Sequence, residues 1–204
     1  MKYNADNKKF WDKVANKYDF VRKSDIKAFD TIISNIKEEL DENMTVLELA
    51  TGTGFISISV APFCKEIEAT DFSEEMIRVA KSKKRPENLS FSIQDATNLP
   101  YPDNFYDVVI ISNALHIMPN PEKALANIKR VLKNGGVLIA PNFIRRGNFI
   151  DRIIETPMNI FGFKTYSKWT YDRYLEFLKE NNWKIKGHSK IKAKIPIAYA
   201  VLEK

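Results

Sequence analysis

Cysteine is nearly absent from this chain of 204 residues, in which Cys64 is the only one. A single cysteine excludes an intramolecular disulfide and a cysteine metal cluster, and we predict no metal site. Long apolar runs are also missing, because the most apolar stretch, Val108–Met118, is too short and too interrupted to span a bilayer. No positively charged and then apolar leader opens the sequence. We therefore expect a globular, cytoplasmic protein without a membrane span.

Positive charge is in excess, with 32 lysine and arginine residues against 26 aspartate and glutamate residues, a net charge of +6. Such an excess suits an acidic partner such as nucleic acid. The lysines are spread along the whole chain, however, and the densest run, Lys81–Arg85, falls at the end of a predicted surface helix. We interpret the charge as a solvated helix face and do not expect nucleic acid as a partner.

Segments typical of strands alternate with segments typical of helices, which predicts an α/β fold with a mostly parallel sheet. Two helices come first: Phe10, Val14 and Tyr18 share one helical face, and a second apolar stripe runs from Ile26 to Leu40. Five strands are then predicted, over Thr45–Ala50, Ile67–Thr70, Leu89–Ile93, Tyr106–Ser112 and Val137–Ala140.

The last third of the chain predicts helices and a closing hairpin. A helix is expected to begin at Asn120-Pro121, where proline suits the first helical position, and to end at Gly135-Gly136. Thr170 is a candidate cap for the final helix. Two strands, near Trp183–Ser189 and Ile197–Glu203, close the chain without a helix between them, so they should pair as an antiparallel hairpin.

The strongest functional signal is the loop Thr51-Gly52-Thr53-Gly54, which directly follows the first strand and precedes a helix. Its glycines permit a tight turn and a close approach of a ligand to the backbone. Free N–H groups at the start of the helix would point at that ligand. A glycine loop alone is also typical of dinucleotide binding or of a plain strand–helix turn.

Three acidic residues narrow these choices. Glu48 lies in the strand four residues before Gly52, where a carboxylate could neutralise a ligand ammonium. Asp71 and Asp95 follow the next two strands, and all three would share the edge of the sheet at which α/β proteins bind ligands. Asp71 can accept the hydroxyls of a ribose, in a dinucleotide as in other nucleosides. Ser57 occupies the place of the third glycine of the dinucleotide fingerprint.

This ordered set resembles the class I S-adenosylmethionine (SAM)-dependent methyltransferases. It is especially similar to the small-molecule branch that includes the ubiquinone/menaquinone-biosynthesis C-methyltransferases. The resemblance covers nearly the whole chain. The matching segments are Phe10–Asp19, Val46–Gly54, Asp71–Met76, Asp95-Ala96 with Leu99-Pro100, Phe105–Val109 and Arg130–Gly136.

The resemblance implies one domain over residues 1–204, with a Rossmann-like sheet of seven mostly parallel strands, an antiparallel last strand and helices on both faces. Residues 1–43 would form an N-terminal helical cap and residues 44–142 the SAM-binding core. Residues 143–170 would cover the substrate, and residues 171–204 would supply the last helix and the closing hairpin.

The resemblance also implies roles for single residues around SAM and its product, S-adenosylhomocysteine (SAH). The methionine part would lie against the loop that carries Ala50, Thr51, Gly52, Thr53 and Gly54. Asp71 would bind the ribose, and Tyr18 would close over the cofactor, where its ring also favours a sulfonium. The remaining contacts are Phe72 and Met76 beside the adenine, Asp95 and Ala96 on its polar edge, and Asn113 near the methionine end.

Several of these residues have simpler interpretations. Glu48 could be a buried acid paired with a lysine, and Asp71 could only cap the next helix. Met76 stands at a spacing typical of core residues. Tyr18 continues the apolar stripe of the first helix, so packing explains it almost as well.

Methyl transfer from a sulfonium is an in-line displacement, so the protein mainly positions the partners and excludes water. A general base is needed only where the nucleophile must lose a proton, and His116 is the candidate because it follows the fourth strand. The competing interpretation is a histidine that bonds the backbone before Pro119. We expect a small, partly apolar acceptor and a monomer or homodimer.

Other functions stay open at the level of sequence. An RNA or protein methyltransferase is one alternative, although Ser112–Leu115 lacks the proline-rich aromatic tetrapeptide of amino-methylating DNA enzymes. A SAM-binding regulatory protein without catalysis would keep the whole cofactor site. A nicotinamide dehydrogenase is a further alternative, because dinucleotide-binding proteins also place an acid at the position of Asp71.

Overall fold

The structure, a computed structural model, describes residues 5–146 and 164–204. Most of the predicted substrate cover, residues 147–163, lies outside the described residues. The helices among the described residues are α1 (Ala5–Arg22), α2 (Ile26–Lys37), α3 (Phe55–Val60), α4 (Glu74–Lys81), α5 (Pro121–Val131) and α6 (Tyr171–Glu180). The strands are β1 (Thr45–Leu49), β2 (Glu66–Asp71), β3 (Leu89–Ile93), β4 (Tyr106–Ile111), β5 (Leu132–Ile139), β6 (Asn142–Phe143), β7 (Lys184–Ile191) and β8 (Ile197–Glu203).

The strands form one sheet in the order β3-β2-β1-β4-β5-β8, with β7 along the outer edge of β8. The first five strands are parallel, and β8 runs antiparallel to β5. The short β6 pairs with β8 in the same register as β5 does, so it continues β5 past Ala140 and Pro141. The predicted sheet of seven mostly parallel strands is therefore confirmed, with β6 as an extension of the fifth.

Apolar side chains alternate along the strands and bury both faces of the sheet. Val46 and Ile110 pack on the face covered by α2, α3 and α4, whereas Leu47 and Leu49 pack on the face covered by α5 and α6. Burial of a large aliphatic side chain contributes roughly 2 kcal/mol. Two helix layers on a parallel sheet leave the loops at the carboxyl ends of the strands free to build a site.

The connection between α5 and β5 differs from the prediction. The helix ends at Val131, and residues from Leu132 onward are extended and belong to β5, so Gly135 and Gly136 lie within the strand. The pairing of β4 with β5 shifts between Tyr106 and Val108, and Gly135 within the irregular stretch has φ +77°. The glycines therefore accommodate a break in the strand, and the helix stops four residues earlier than expected.

Candidate functional site

A cavity opens at the carboxyl ends of β1, β2, β3 and β4, below α1. Four segments of the sheet edge meet there, one after each strand, because parallel strands end on the same side. The lining residues are Asn7, Lys8, Trp11, Tyr18, Ala50, Gly52, Thr70, Asp71, Phe72, Ser73, Met76, Gln94, Asp95, Ala96, Thr97, Ser112, Asn113, Ala114, Ile117, Met118 and Pro119.

The loop after β1 takes a left-handed backbone at three positions, with φ of +55° at Ala50, +57° at Gly52 and +78° at Gly54. At Gly54 a side chain is excluded sterically as well, because an added Cβ would lie 2.6 Å from Cζ of Phe91. The missing side chain lets α3 begin close against β3. Ala50 and Gly52 of this loop reach the cavity wall.

Glu48 lies behind the loop among buried residues and does not line the cavity. Its Oε2 accepts a hydrogen bond from Oγ1 of Thr51 at 2.6 Å, and Thr51 is 3.1 Å from Oγ of Ser57. Burial raises the pKa of Glu48 to about 7, although the bonds from Thr51 and Ser57 oppose that rise. Glu48 therefore braces the loop through its described contacts. Its bonding to a ligand ammonium stays a prediction.

Asp71 lies at the end of β2 and faces the cavity. One carboxylate oxygen accepts the N–H of Gly52 at 2.8 Å, and the other accepts the N–H of Ser73 at 2.9 Å. Burial raises the pKa of Asp71 to about 6, and the backbone hydrogen bonds oppose it. The carboxylate thus joins the glycine loop to the start of α4. Ser73, and not Asp71, is the side chain that caps α4, since its Oγ accepts the N–H of Met76.

The far end of the cavity combines an acidic turn with apolar side chains. Asp95 after β3 accepts the N–H and the hydroxyl of Thr97, each at 2.8 Å. Ala96 and Met76, which are both buried, form the wall beside it. A flat, partly apolar ring with an exocyclic donor suits such a surface.

Asn113 follows β4 and shows two features of a ligand contact. Its φ is +53°, a left-handed conformation in which a residue other than glycine is uncommon. Its Oδ1 is buried and accepts no hydrogen bond from the residues that the structure describes. Buried polar atoms are nearly always paired, so this oxygen at the cavity wall is suited to receive a donor from a ligand.

Helix α1 covers the opening of the cavity. Tyr18 stands over the glycine loop, where its Cε1 would be 3.5 Å from a Cβ placed on Gly52. Trp11 lines the cavity one heptad earlier, and its ring meets that of Tyr18 edge-on at 5.7 Å. The apolar stripe predicted for this helix therefore contributes ring surface to the cavity as well as packing.

Polar bonds fasten α1 to the two loops below it. Asp12 accepts the hydroxyl of Ser73 at the start of α4. Near the other end of α1, Asp19 accepts a hydrogen bond from the hydroxyl of Thr53 at 2.6 Å and forms an ion pair with Lys83. The ammonium of Lys83 also donates a hydrogen bond to the carbonyl of Thr53 at 2.8 Å. Thr53 is therefore engaged by the helix above the loop and does not line the cavity.

His116 is buried and does not line the cavity. Its Nδ1 lies 3.1 Å from Oδ1 of Asn142, an oxygen that only accepts, so Nδ1 carries the proton. Burial lowers the pKa of His116 to about 4, against the raising effect of the Asn142 bond. The ring is neutral at physiological pH. Its burial and its hydrogen bond to Asn142 favour a structural role for His116 in the loop after β4.

Nine of the predicted cofactor residues line the cavity: Tyr18, Ala50, Gly52, Asp71, Phe72, Met76, Asp95, Ala96 and Asn113. Four lie behind it: Glu48, Thr51, Thr53 and Gly54. Sequence reasoning missed Asn7, Lys8 and Trp11, although Trp11 stands within the helical motif that includes Tyr18 and shares its face.

Within residues 5–146 and 164–204, no cluster of three or more histidine, cysteine, aspartate or glutamate side chains is arranged to hold a metal ion. None of the helices described in these ranges is both long and apolar enough to cross a membrane.

Comparison with known proteins shows what the chain is similar to. The sequence model of the methyltransferase domain matches residues 47–140. A demethylmenaquinone methyltransferase of Renibacterium salmoninarum is 43% identical over 98 residues, which are 48% of this chain and 40% of that protein. A ubiquinone/menaquinone biosynthesis C-methyltransferase of Rickettsia bellii is 33% identical over 147 residues, which are 64% of this chain and 57% of that protein.

Among solved structures, a chain of the complex between the Haloferax volcanii Trm112 methyltransferase activator and a methyltransferase superposes with a TM-score of 0.81. It covers 96% of each chain at 16% sequence identity, a level that establishes the fold alone. This chain spans about two fifths of the length of the demethylmenaquinone methyltransferases that it matches. Residues 47–140 therefore match the methyltransferase domain, and the resemblance to methyltransferases that the sequence predicts is confirmed.

Proposed function

We propose that the whole chain catalyses methyl transfer from SAM to a small, partly apolar acceptor. The observation that carries this proposal is the meeting of Gly52, Asp71, Asp95 and Asn113 in one cavity under aromatic residues of α1. A carboxylate bridging a glycine loop and a helix start suits a ribose, and the buried oxygen of Asn113 suits an ammonium or another donor. The cavity therefore fits the separate parts of SAM.

In this proposal each part of the cavity meets one part of the cofactor. The backbone of Ala50 and Gly52 and the side chain of Asn113 hold the methionine portion. Asp71 accepts the ribose hydroxyls, since its pKa of about 6 leaves it ionised at neutral pH. Phe72, Met76, Asp95 and Ala96 hold the adenine.

The chain's own contribution to the reaction is positioning and the exclusion of water. SAM, when bound, supplies a methyl group already activated by its sulfonium. Trp11 and Tyr18 close the cavity from above and remove water from the transfer path. The neutral, buried His116 with a pKa of about 4 is a poor proton acceptor, so we assign it to holding the loop after β4.

The acceptor we propose to test first is a hydroxylated aromatic ring. Two of the similar proteins are named as a demethylmenaquinone methyltransferase and a ubiquinone/menaquinone biosynthesis C-methyltransferase. The apolar surface of Ile117, Met118 and Pro119 on the cavity wall is compatible with such a ring. An electron-rich ring carbon would attack the methyl group as the bond to sulfur breaks and SAH leaves, and the cationic ring would then lose its proton to water, so no strong base is needed at the acceptor.

The test is a two-stage measurement on the purified protein. Titration calorimetry with SAM and SAH measures binding, and mass spectrometry then measures SAH production against a panel of quinols, amines, thiols and alcohols. We expect SAH binding and acceptor-dependent SAH formation. Stabilisation by NAD without stabilisation by SAH would overturn the proposal in favour of a nucleotide oxidoreductase.

A SAM-binding protein without catalysis is the second candidate, because the one predicted catalytic residue, His116, does not line the cavity and bonds Asn142 instead. It predicts SAM binding equal to that of an enzyme, with no SAH formed from any acceptor in the panel. Acceptor-dependent turnover would remove this candidate.

A further inference from the structure

One side chain of α1 joins three segments that are far apart in sequence. Asn7 is buried, although it is polar and near the beginning of the helix. Its Nδ2 donates to the carbonyl of Ile117 at 3.0 Å and to the carbonyl of Lys164 at 3.1 Å. Its Oδ1 accepts the N–H of Lys164 at 3.0 Å. The carboxamide thus bonds both the carbonyl and the N–H of Lys164. Its second N–H donates to the carbonyl of Ile117 in the loop after β4.

The partners of Asn7 lie in two separate segments, one at the cavity wall and one in the predicted substrate cover. Asn7 lines the cavity together with Trp11 and Tyr18, so it lies on the face of α1 that would touch the cofactor. Ile117 lines the same cavity from the loop after β4. Lys164 begins the described segment 164–169, which is part of the predicted substrate cover, residues 143–170.

Segment 164–169 has further attachments near the same point. The N–H groups of Tyr166 and Ser167 both donate to the carbonyl of His116, at 2.9 and 3.0 Å. The carbonyl of Trp169 accepts the N–H of Arg145 at 2.8 Å. The segment therefore lies against the loop after β4 by backbone bonds, and Asn7 is the side chain that ties both of them to α1.

We infer that Asn7 is a positioning residue that couples cofactor binding under α1 to the placement of segment 164–169 beside the acceptor. The inference rests on the proposed function. A ligand beneath Trp11 and Tyr18 favours the closed position of α1, and the closed helix presents the carboxamide to Lys164. Because Asn7 uses both donors and its acceptor here, no smaller or ionised side chain reproduces the arrangement. The site is then completed in order, with the cofactor before the acceptor.

The experiment is hydrogen–deuterium exchange on the full chain with and without SAH, resolved for peptides that contain Lys164, Tyr166 and Ser167. We expect SAH to slow exchange of these amides in the wild type. In Asn7→Ala the slowing should fall by about tenfold at Lys164, the loss expected when a buried hydrogen-bonding group is removed. The SAH affinity should fall as well, by no more than about the same tenfold, because coupling between cofactor binding and the segment is reciprocal.

Asn16→Ala is the matched control, since Asn16 is an exposed asparagine of the same helix that accepts one bond from Arg78 at 3.0 Å. It loosens α1 without touching segment 164–169, so the slowing by SAH at Lys164 should persist. Asn7→Asp is the second variant. It keeps the volume and the acceptor for the Lys164 N–H but loses both donors, and it should also lose the response to SAH should Asn7→Ala fail to fold.

The outcomes separate the inference from the function on which it rests. Equal slowing by SAH in the wild type and in the Asn7 variants would overturn the coupling and leave the methyltransferase proposal intact. Equal loss in Asn7→Ala and Asn16→Ala would overturn it too, because general loosening of α1 would then explain the effect. Failure of SAH to bind the wild type would overturn the proposed function itself.

Discussion

The two walls of the cavity are built by different physical means. The sheet wall carries Gly52 and Asp71 on strand ends whose neighbours are fully buried and joined by backbone ladders. The α1 wall has a single buried apolar side chain among its described residues, Ala15, and is fastened by polar side-chain bonds such as those of Asp12 and Asp19. Partly exposed polar bonds contribute little each, so local opening at low free energy is expected of the helix and not of the sheet.

The two walls therefore have different tasks in binding a ligand. A sheet wall that does not move fixes the geometry of the cofactor, whereas a helix wall that opens lets a ligand enter a covered cavity. Substitutions in the sheet wall should therefore change folding or affinity strongly. Substitutions in α1 should change mainly the rates at which a ligand enters and leaves.

The largest effect should come from Gly54 in the sheet wall. In Gly54→Ala the new Cβ would lie 2.6 Å from the Phe91 ring, at a φ of +78°, so overpacking adds to backbone strain. We expect a loss of about 3 kcal/mol in the free energy of unfolding, measured by urea denaturation. Gly135→Ala is the control, because φ is +77° there but no atom lies within 4 Å of the new Cβ. It should lose only about 1 kcal/mol, and equal losses would show that Phe91 yields freely.

The second effect concerns affinity rather than folding. Asp71→Ala removes an ionised acceptor that we place on two ribose hydroxyls, and bonds to charged groups contribute about 1.5 kcal/mol or more each. We expect SAH to bind about 100-fold more weakly by calorimetry, with a smaller loss of about 1–2 kcal/mol in the free energy of unfolding, because the N–H groups of Gly52 and Ser73 lose their acceptor. Asp30→Ala, an exposed aspartate of α2, should bind SAH like the wild type. An unchanged affinity in Asp71→Ala would remove Asp71 from the cofactor site.

The sheet wall is also the part that the sequence predicts well. Apolar periodicity and strand-end polar residues are local signals, so the strands, the glycine loop, Asp71 and Asp95 could all be placed in advance. Asn7 could not, because its partners lie 110 and 157 positions away and nothing near it in sequence marks them. Burial of single side chains was equally beyond local patterns: Glu48 and His116 are buried and do not line the cavity.

A third prediction tests the α1 wall directly. Asp19→Ala removes the bond to Thr53 and the ion pair with Lys83, which are partly exposed. The free energy that holds α1 against the glycine loop should fall by about 1 kcal/mol. SAH release should then be about fivefold faster in stopped-flow measurements, with little change in the association rate or in the unfolding midpoint. Lys17→Ala, an exposed residue of the same helix, should release SAH at the wild-type rate. A slower association in place of a faster release would mean that Asp19 steers the ligand and does not hold the helix.

The smallest effect is the pH dependence of the sheet wall. The pKa of Asp71 is raised to about 6, and SAH needs its ionised form as an acceptor, so protonation competes with binding. Affinity should therefore be full above pH 7 and fall as the pH drops through 6, by about fourfold between pH 7.5 and 5.5 for one competing proton. Glu48, with a pKa near 7, titrates in the same range from behind the loop. Asp71→Asn separates the two: a flat pH profile in this variant assigns the dependence to Asp71, whereas a profile that keeps its slope assigns it to Glu48 and the bracing of the loop.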